Sequence, residues 1–275
     1  MSWDALRSDL ENELGEAITL DALTGSWRLA QRANGHRHSV DDVLTASYAL
    51  DQVFGAAPTT IRPTPPIEQP SSPINALDLG SGIGGVGLLV LWGLPVDARL
   101  VCVEAQAVSY RLLTANLVGN QLTDRASARL GDLRQLALAE KFALITGSPP
   151  YFPIGTGILP ADSQKAHARF ELRGDVGDYA ACAVRHLTPD GVFVCCFPSA
   201  QLIRAKTRIT GAGLHVVSVR EVVPRAGLRP LFSLLACRLT PATCREDAPL
   251  VVRDADGAVT EEMLAVRRRF GFAAG

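Results

Sequence analysis

The sequence predicts an α/β fold built on a Rossmann-like, seven-stranded, mostly parallel sheet with helices on both faces. After residue 74, short apolar runs alternate with helical patterns, which is typical of parallel strands joined by crossover helices. A glycine-rich turn follows the first of these runs. The last two runs have no helix between them, so we expect the sheet to end in an antiparallel pair.

The predicted strands are short apolar runs, most of them followed by glycine, proline or polar residues. They cover residues 74–79, 100–104, 126–130, 142–146, 191–197, 214–223 and 231–239. Helices are predicted between them, over residues 106–120, 175–187 and 199–211.

A small extension over residues 1–54 is predicted to precede this sheet, as a hairpin followed by a helix. Residues 16–40 have the pattern of short strands, and Asn34-Gly35 is a dipeptide typical of hairpin turns. Ser39 is placed to cap a helix over residues 40–54.

A Pro-rich linker is predicted over residues 55–74, which contain six prolines. Proline fixes one backbone dihedral and cannot donate a backbone hydrogen bond, so this segment cannot be a regular element. The main domain then covers residues 75–275.

The composition excludes several broad classes of protein. Of the 275 residues, 47% are hydrophobic and 20% are charged, which suits a large core and argues against wholesale disorder. The net charge of −1 excludes a globally basic nucleic-acid coat protein, but not a local basic face. No segment resembles a secretion signal or a membrane span, so we expect a cytoplasmic protein with no membrane partner.

Six cysteines and five histidines are scattered without the spacing of a metal site. Most of the cysteines fall inside apolar runs, and we expect buried, reduced thiols. No Ser-His-Asp arrangement can be identified, so no histidine is assigned a catalytic role. The sequence therefore predicts no metal.

A glycine-rich turn with the sequence DLGSGIG covers residues 78–84, between a strand and a helix. Glycines allow a tight turn and let a ligand approach the backbone, but such a turn could serve NAD, FAD or S-adenosylmethionine, or simply connect two elements. Glu104 ends the next strand, where a carboxylate can accept hydrogen bonds from ribose hydroxyls. Asp132 follows the third strand, where it can accept from an adenine amine.

The most specific motif is Ser148-Pro149-Pro150-Tyr151, at the end of the fourth strand. Two prolines hold the backbone rigid and leave its carbonyl groups free. The Ser148 hydroxyl and the Pro149 carbonyl can accept hydrogen bonds from one planar amine, which makes the nitrogen lone pair available for attack on a methyl group. Tyr151 offers an aromatic face for stacking a flipped base. The alternative interpretation is a rigid loop with a packed tyrosine.

These motifs resemble those of class I S-adenosylmethionine-dependent methyltransferases with the [Asn/Asp/Ser]-Pro-Pro-aromatic signature of amino-group methylation. Within that superfamily, the chain is most similar to the bacterial valine-tRNA adenine-N6 methyltransferase family. The resemblance spans most of the chain and includes Glu104, Asp132 and residues 31–49, 78–84, 115–120, 148–152, 168–171 and 250–272.

The resemblance implies S-adenosylmethionine as the cofactor and adenine N6 in RNA, tRNA in particular, as the methylated amine. It implies a catalytic loop formed by Ser148, Pro149, Pro150 and Tyr151. It also implies a set of cofactor-binding residues, which comprises Asp41, Asp78, Gly80, Gly82, Gly84, Glu104 and Asp132.

Two residues depart from the family pattern. The family has Asn where this chain has Ser148, and it tends to have Tyr where this chain has Val259. Serine occurs at the first of these places in other exocyclic-amine methyltransferases, notably those acting on cytosine N4. A hydroxyl is shorter than an amide and accepts at a different angle, so this departure bears on which amine is the target.

Substrate contacts are expected from basic and aromatic residues near the Pro-Pro motif. A long segment follows Tyr151, and loops of this length often act as functional lids. Basic side chains at the site could bind phosphates although the net charge is close to zero. The expected substrate-binding residues are Phe152, Lys165, Arg169, Arg225 and Arg229.

Three other functions remain open on the sequence. Protein glutamine N5-methyltransferases use a similar Pro-Pro-Tyr turn on a planar amide, although their motif begins with Asn. A non-catalytic S-adenosylmethionine- or RNA-binding module with the same fold is a second alternative, because Ser148 departs from the family. A nicotinamide dehydrogenase would explain the glycine turn but not Ser148 to Tyr151.

Overall fold

The computed structural model describes residues 2–55 and 74–272. Its central element is an eight-stranded mixed sheet. The helices are α1 (Trp3–Leu14), α2 (Val40–Phe54), α3 (Gly85–Gly93), α4 (Ala107–Gly119), α5 (Ser163–Arg169), α6 (Val176–His186), α7 (Leu202–Gly211) and α8 (Glu261–Arg269). The strands are β1 (Ile18–Ala22), β2 (Arg28–Arg32), β3 (Asn75–Leu79), β4 (Arg99–Glu104), β5 (Ala126–Leu130), β6 (Phe142–Gly147), β7 (Leu187–Pro198), β8 (His215–Val223), β9 (Phe232–Arg238) and β10 (Arg245–Val251).

The large sheet has the strand order β10-β8-β9-β7-β6-β3-β4-β5. Strands β3 to β7 are parallel to one another, whereas β9 runs antiparallel to both β7 and β8. This confirms the predicted α/β class, the mostly parallel sheet and the antiparallel pairing of the last two predicted strands.

The prediction of seven strands was one short. The seven predicted strands correspond to β3 to β9, and β10 is added at the edge, parallel to β8. Residues 245–251 gave no sign of a strand because three of the seven are charged and four are exposed, and an edge strand needs no continuous apolar run.

Alternation along the strands divides the core between the two faces of the sheet. In β4, Leu100 and Cys102 pack on the face covered by α2, α3 and α4, whereas Val101 and Val103 pack on the face covered by α6 and α7. The sheet therefore has helices on both faces, as predicted. Five of the six cysteines are buried in this core, and Cys244 is partly exposed.

The N-terminal hairpin turns at a different place from the one predicted. Strands β1 and β2 pair from Ile18 with Arg32 to Ala22 with Arg28, so the turn lies over residues 23–27. The Thr24 hydroxyl accepts from the backbone N–H groups of the two residues that follow Gly25, and this stabilises the turn. Asn34-Gly35 forms a separate turn after β2.

Helix α2 matches the prediction of a helix over residues 40–54, with Ser39 as its N-cap. Helix α1 was not predicted from the sequence; Ser2 caps it, and Leu6 and Leu10 bury one face. The predicted linker over residues 55–74 falls almost entirely on residues 56–73, which lie outside the described residues.

Two asparagines of α4 and the turn after it attach the hairpin to the main sheet. The buried Asn116 amide accepts from the Ala30 N–H at 2.7 Å and donates to the carbonyl oxygens of Ala30 and Ile83. Asn120, one turn later and partly exposed, makes the same pair of bonds with the Arg28 backbone. These side chains extend the hydrogen bonding of β2 on its outer edge, and the Ile83 bond joins the hairpin to the glycine-rich turn.

None of the helices in the two described ranges combines the length and hydropathy that a bilayer span requires. Within the same ranges, no cluster of His, Cys, Asp and Glu side chains is arranged to hold a metal ion.

We expect Asn116→Ala to lower the free energy of unfolding by about 3 kcal/mol, because it leaves three buried backbone groups without partners. Asn120→Ala removes the same kind of hydrogen bonds from a partly exposed site, where water replaces the amide. It should lower the free energy of unfolding by less than about 1 kcal/mol. Urea denaturation of the two variants makes this comparison. Equal losses would show that burial does not determine the strength of the attachment.

Candidate active site

An open cleft lies at the carboxyl ends of the central strands. Strand β3 pairs with β4 on one side and with β6 on the other, so the chain order reverses there, and open α/β sheets bind ligands at such a point. The predicted site residues that line the cleft are Asp78, Gly80, Gly82, Glu104, Asp132, Ser148 and Pro150.

The glycine-rich turn needs glycine at two positions for different reasons. Gly80 has a φ of 61°, and a Cβ there would collide with the Tyr179 hydroxyl. Gly82 has a φ of 56°, and a Cβ there would meet no atom within 4 Å, because the position faces open space. The turn therefore presents bare backbone to a ligand in the cleft.

Glu104 is buried where β4 ends and holds the glycine turn in place. One carboxylate oxygen accepts from the Gly82 N–H at 2.8 Å, and the other accepts from the Gln106 N–H at 2.6 Å. Burial raises the pKa of Glu104. A carboxylate has about four acceptor positions, so this one can still accept hydrogen bonds from a ligand.

Asp132 lies beyond the end of β5 and is already paired. The Arg134 guanidinium donates to both of its carboxylate oxygens, and the Arg134 N–H donates as well. These bonds from Arg134 lower the pKa of Asp132. Asp132 therefore carries a fixed negative charge in the lining of the cleft.

Asp78 is fully buried at the end of β3. The Thr146 hydroxyl donates to its Oδ1 at 2.7 Å, whereas its Oδ2 has no hydrogen-bond partner among the described residues. Burial raises the pKa of Asp78 to about 7. The carboxyl thus lies directly beneath the glycine turn with an unused acceptor.

The Ser148–Tyr151 loop follows β6, and its backbone is anchored from two sides. The Tyr151 N–H donates to the Arg169 carbonyl at 3.0 Å, and the Tyr151 carbonyl accepts from Gln201 and Arg204. Arg204 also forms an ion pair with Glu171 at 2.7 Å. These contacts fix the loop at the edge of the cleft that holds the glycine turn.

Two residues expected to bind the cofactor lie elsewhere. Gly84 is the N-cap of α3 and does not line the cleft; a Cβ there would press against Leu113. Asp41 does not line the cleft either, because its carboxylate accepts from the Tyr151 hydroxyl at 3.2 Å. The neighbouring Asp42 lines the cleft instead, since successive helical residues point about 100° apart.

None of the five residues expected to bind substrate lines the cleft. Phe152 is 42% exposed and packs on Phe170. Lys165 and Arg169 lie on α5. Arg225 and Arg229 are exposed in the loop between β8 and β9, at the same carboxyl edge, since β8 runs in the direction of β7.

Several residues at the cleft were not predicted from the sequence. Gln164 is buried and links three elements: its oxygen accepts from His36 N–H and from Arg32, and its nitrogen donates to Ser109. A lone glutamine in a polar segment carries no sequence signal of such a role. His38 and Asp42 form a 2.8 Å pair at the cleft and were within reach of prediction, because they adjoin the conspicuous Asp41.

The raised pKa of Asp78 predicts a pH-dependent stability. Between about pH 4 and pH 7 the unfolded carboxyl is ionised while the folded one keeps its proton, so stability falls as pH rises. Asp78→Asn cannot ionise. We expect it to gain about 1.4 kcal/mol per pH unit relative to wild type across that window. Urea denaturation at several pH values, with the exposed Asp124→Asn as a control, measures this difference, and a constant difference would contradict it.

The chain has relatives of similar sequence with a stated activity. It is 27% identical over 194 residues to the tRNA1(Val) (adenine(37)-N6)-methyltransferase of Aeromonas hydrophila, covering 70% of this chain and 80% of that protein. It is 27% identical over 199 residues to the protein of the same name in Phocaeicola vulgatus, covering 71% and 82%. No protein-family model matches the chain.

Solved structures share the fold at lower sequence identity. An Agrobacterium tumefaciens protein described as a predicted O-methyltransferase superposes with a TM-score of 0.57 and 16% identity, over 85% of this chain and 98% of that one. A Listeria monocytogenes protein assigned to the class I S-adenosylmethionine-dependent methyltransferases gives a TM-score of 0.53 and 15% identity, over 98% and 80%.

The site geometry fits S-adenosylmethionine. The open space above Gly82 leaves room for a ligand against the backbone, and Glu104 keeps acceptors free for ribose hydroxyls. Ser148 and Pro150 line the same cleft, where a methyl acceptor can meet the cofactor. With this site and this sheet order, the chain has the fold of the class I S-adenosylmethionine-dependent methyltransferases, and its sequence is similar to those of the tRNA1(Val) adenine-N6 methyltransferases.

Proposed function

We propose that the protein methylates the exocyclic N6 amine of adenine in RNA, with tRNA as the substrate. The observation that carries the proposal is the position of the Ser-Pro-Pro-Tyr loop, because Ser148 and Pro150 line the cleft that also holds the glycine turn and Glu104. The names of the sequence relatives support adenine N6 in a tRNA as the acceptor.

Ser148 and Pro149 hold the amine in this proposal. The bound cofactor supplies a methyl group made electrophilic by its sulfonium. The Ser148 hydroxyl and the Pro149 carbonyl accept the two N–H groups of the amine, so its lone pair is directed at the methyl carbon. The nitrogen–carbon bond forms as the carbon–sulfur bond breaks, and the nitrogen then loses its proton to solvent. Catalysis rests mainly on proximity and alignment.

The same loop supports the flipping of a base out of its stack. Tyr151 is partly exposed beside the cleft, and its ring is held edge-on against Phe197 at 5.6 Å. Stacking on such a ring is worth about 1–3 kcal/mol per base. Phe152, exposed next to it, offers a second aromatic surface for a neighbouring nucleotide.

Basic side chains at the carboxyl edge support an RNA substrate. Arg169 and Arg173 are exposed on one side of the cleft, and Arg225 and Arg229 are exposed in the loop between β8 and β9. Lys165 adds a further positive charge on α5. Because the whole chain has a net charge of −1, phosphate binding depends on this local set.

Incubation with radiolabelled S-adenosylmethionine tests the substrate class. We expect label in tRNA, and mass spectrometry of its nucleosides should identify N6-methyladenine. Total ribosomal RNA and total protein serve as parallel acceptors in the same assay. Label found only in protein would refute the RNA proposal and favour glutamine methylation, whereas cofactor binding without any transfer would favour a binding module.

We expect Tyr151→Ala to lower kcat/KM for the RNA acceptor about 10- to 100-fold, because it removes the stacking surface. The variant should bind S-adenosylmethionine almost as tightly as wild type, since Tyr151 does not line the cofactor cleft. Steady-state kinetics and calorimetric titration with the cofactor measure the two quantities. Full activity in this variant would count against the assignment of the loop.

A further inference from the structure

A row of partly or fully buried polar side chains runs through and behind the Ser148–Tyr151 loop. The Tyr151 hydroxyl contacts two of them: it donates to Asp41 Oδ2 at 3.2 Å and lies 3.1 Å from Cys196 Sγ. The Cys196 thiol in turn donates to the Ser148 hydroxyl at 3.7 Å. These four side chains come from α2, the loop after β6 and β7, so the contacts join three separate parts of the fold.

The Tyr151 hydroxyl has few other hydrogen-bond partners within reach. Its ring packs between the two hydrophobic clusters of the protein, and a buried phenol hydroxyl needs a hydrogen-bond partner. Burial raises the pKa of Tyr151 well above its ordinary value, so the phenol stays protonated and remains a donor. Asp41 is its acceptor, and Cys196 is its second polar contact.

Cys196 lies where it can contact both Ser148 and Tyr151. Alternation along β7 directs Cys196 to the face covered by α2, whereas the equally buried Cys195 packs on the opposite face. A thiol that touches the Tyr151 hydroxyl and donates to Ser148 restrains both side chains together. Ser148 then keeps one lone pair and its own hydrogen for a ligand in the cleft.

We propose that Asp41 and Cys196 are positioning residues for methyl transfer, acting through the Tyr151 hydroxyl and, for Cys196, through Ser148 as well. The proposal rests on the proposed function, in which Ser148 and Tyr151 hold the acceptor. In this proposal Asp41 supports the residues that hold the methyl acceptor, whereas the family resemblance implied that it binds the cofactor.

The chemistry explains why such residues are needed here. A serine hydroxyl rotates freely, whereas the asparagine amide expected at this place is planar and reaches further. Proximity catalysis is sensitive to small displacements, since an error of about 1 Å in a reacting group can cost about 100-fold in rate. A support that fixes both the hydroxyl of Ser148 and the ring of Tyr151 limits this displacement.

A double-mutant cycle tests the proposal. Asp41→Ala, Cys196→Ala and Tyr151→Phe should each lower kcat about tenfold, with KM for the acceptor changed less than about threefold. In the Tyr151→Phe background the Asp41 substitution should have little further effect, because its contact is already gone. The dissociation constant for S-adenosylmethionine should stay within about twofold of wild type.

Conservative variants and a matched control separate positioning from general destabilisation. Asp41→Asn retains an acceptor and Cys196→Ser retains a polar contact, so both should recover much of the lost kcat. Cys195→Ala removes an equally buried thiol from the opposite face and should leave kcat unchanged. Additive losses in the cycle, or a loss of cofactor affinity in Asp41→Ala, would overturn the proposal.

A spectroscopic measurement tests the contacts without any substrate. The chain has four tyrosines, so labelling with ¹³C at the ring carbon that bears the hydroxyl gives a small set of resonances. The Tyr151 resonance, identified by its loss in Tyr151→Phe, should move in Asp41→Ala and in Cys196→Ala but not in Cys195→Ala. A resonance unmoved in both variants would overturn the proposal.

The kinetic cycle uses whichever acceptor the wild-type protein methylates. If that acceptor is a protein rather than RNA, the proposed RNA substrate fails, but the cycle still decides whether Asp41 and Cys196 act through Tyr151. If RNA is methylated and the cycle is additive, the proposed function stands and the positioning roles are refuted.

Discussion

The parallel pairing of β3 with both β4 and β6 is the constraint on which the active site depends. Parallel neighbours end at the same edge of a sheet, so the glycine turn after β3, Glu104 at the end of β4 and Ser148 after β6 meet at one point. The hydrogen bond from the Gly82 N–H to Glu104 ties two of these ends together. A cofactor and an acceptor bound at this point lie side by side without any further structural device.

The N-terminal section contributes directly to this site. Helix α2 presents Asp42 to the cleft and Asp41 to Tyr151, and the turn before it brings His38 beside Asp42. Asn116 anchors the hairpin to the same Ile83 carbonyl that belongs to the glycine turn. The cleft, the Ser148–Tyr151 loop and the N-terminal section are therefore connected by specific hydrogen bonds, and the N-terminal section forms one wall of the site.

The sequence sufficed to predict what depends on local pattern. The strand–helix alternation, the cap at Ser39 and the positions of Glu104 and Ser148 at the ends of strands all follow from short stretches of chain. What could not be predicted depends on tertiary packing: the charged edge strand β10, the place where the hairpin turns, and the burial of Gln164. Asp41 and Asp42 show the limit most clearly, because only the orientation of α2 decides which carboxylate faces the cleft.

The composition of β10 has a consequence for behaviour at high concentration. Strand β10 forms one of the two edges of the large sheet, and another molecule could add a strand along its outer side. Pro249 lacks an N–H, its surroundings contain an irregularity in register between residues 247 and 250, and Arg245 and Glu246 are exposed. A strand approaching from solution would have to desolvate these charges and would find a gap in the donor ladder. This edge therefore resists the intermolecular pairing that leads to fibrils.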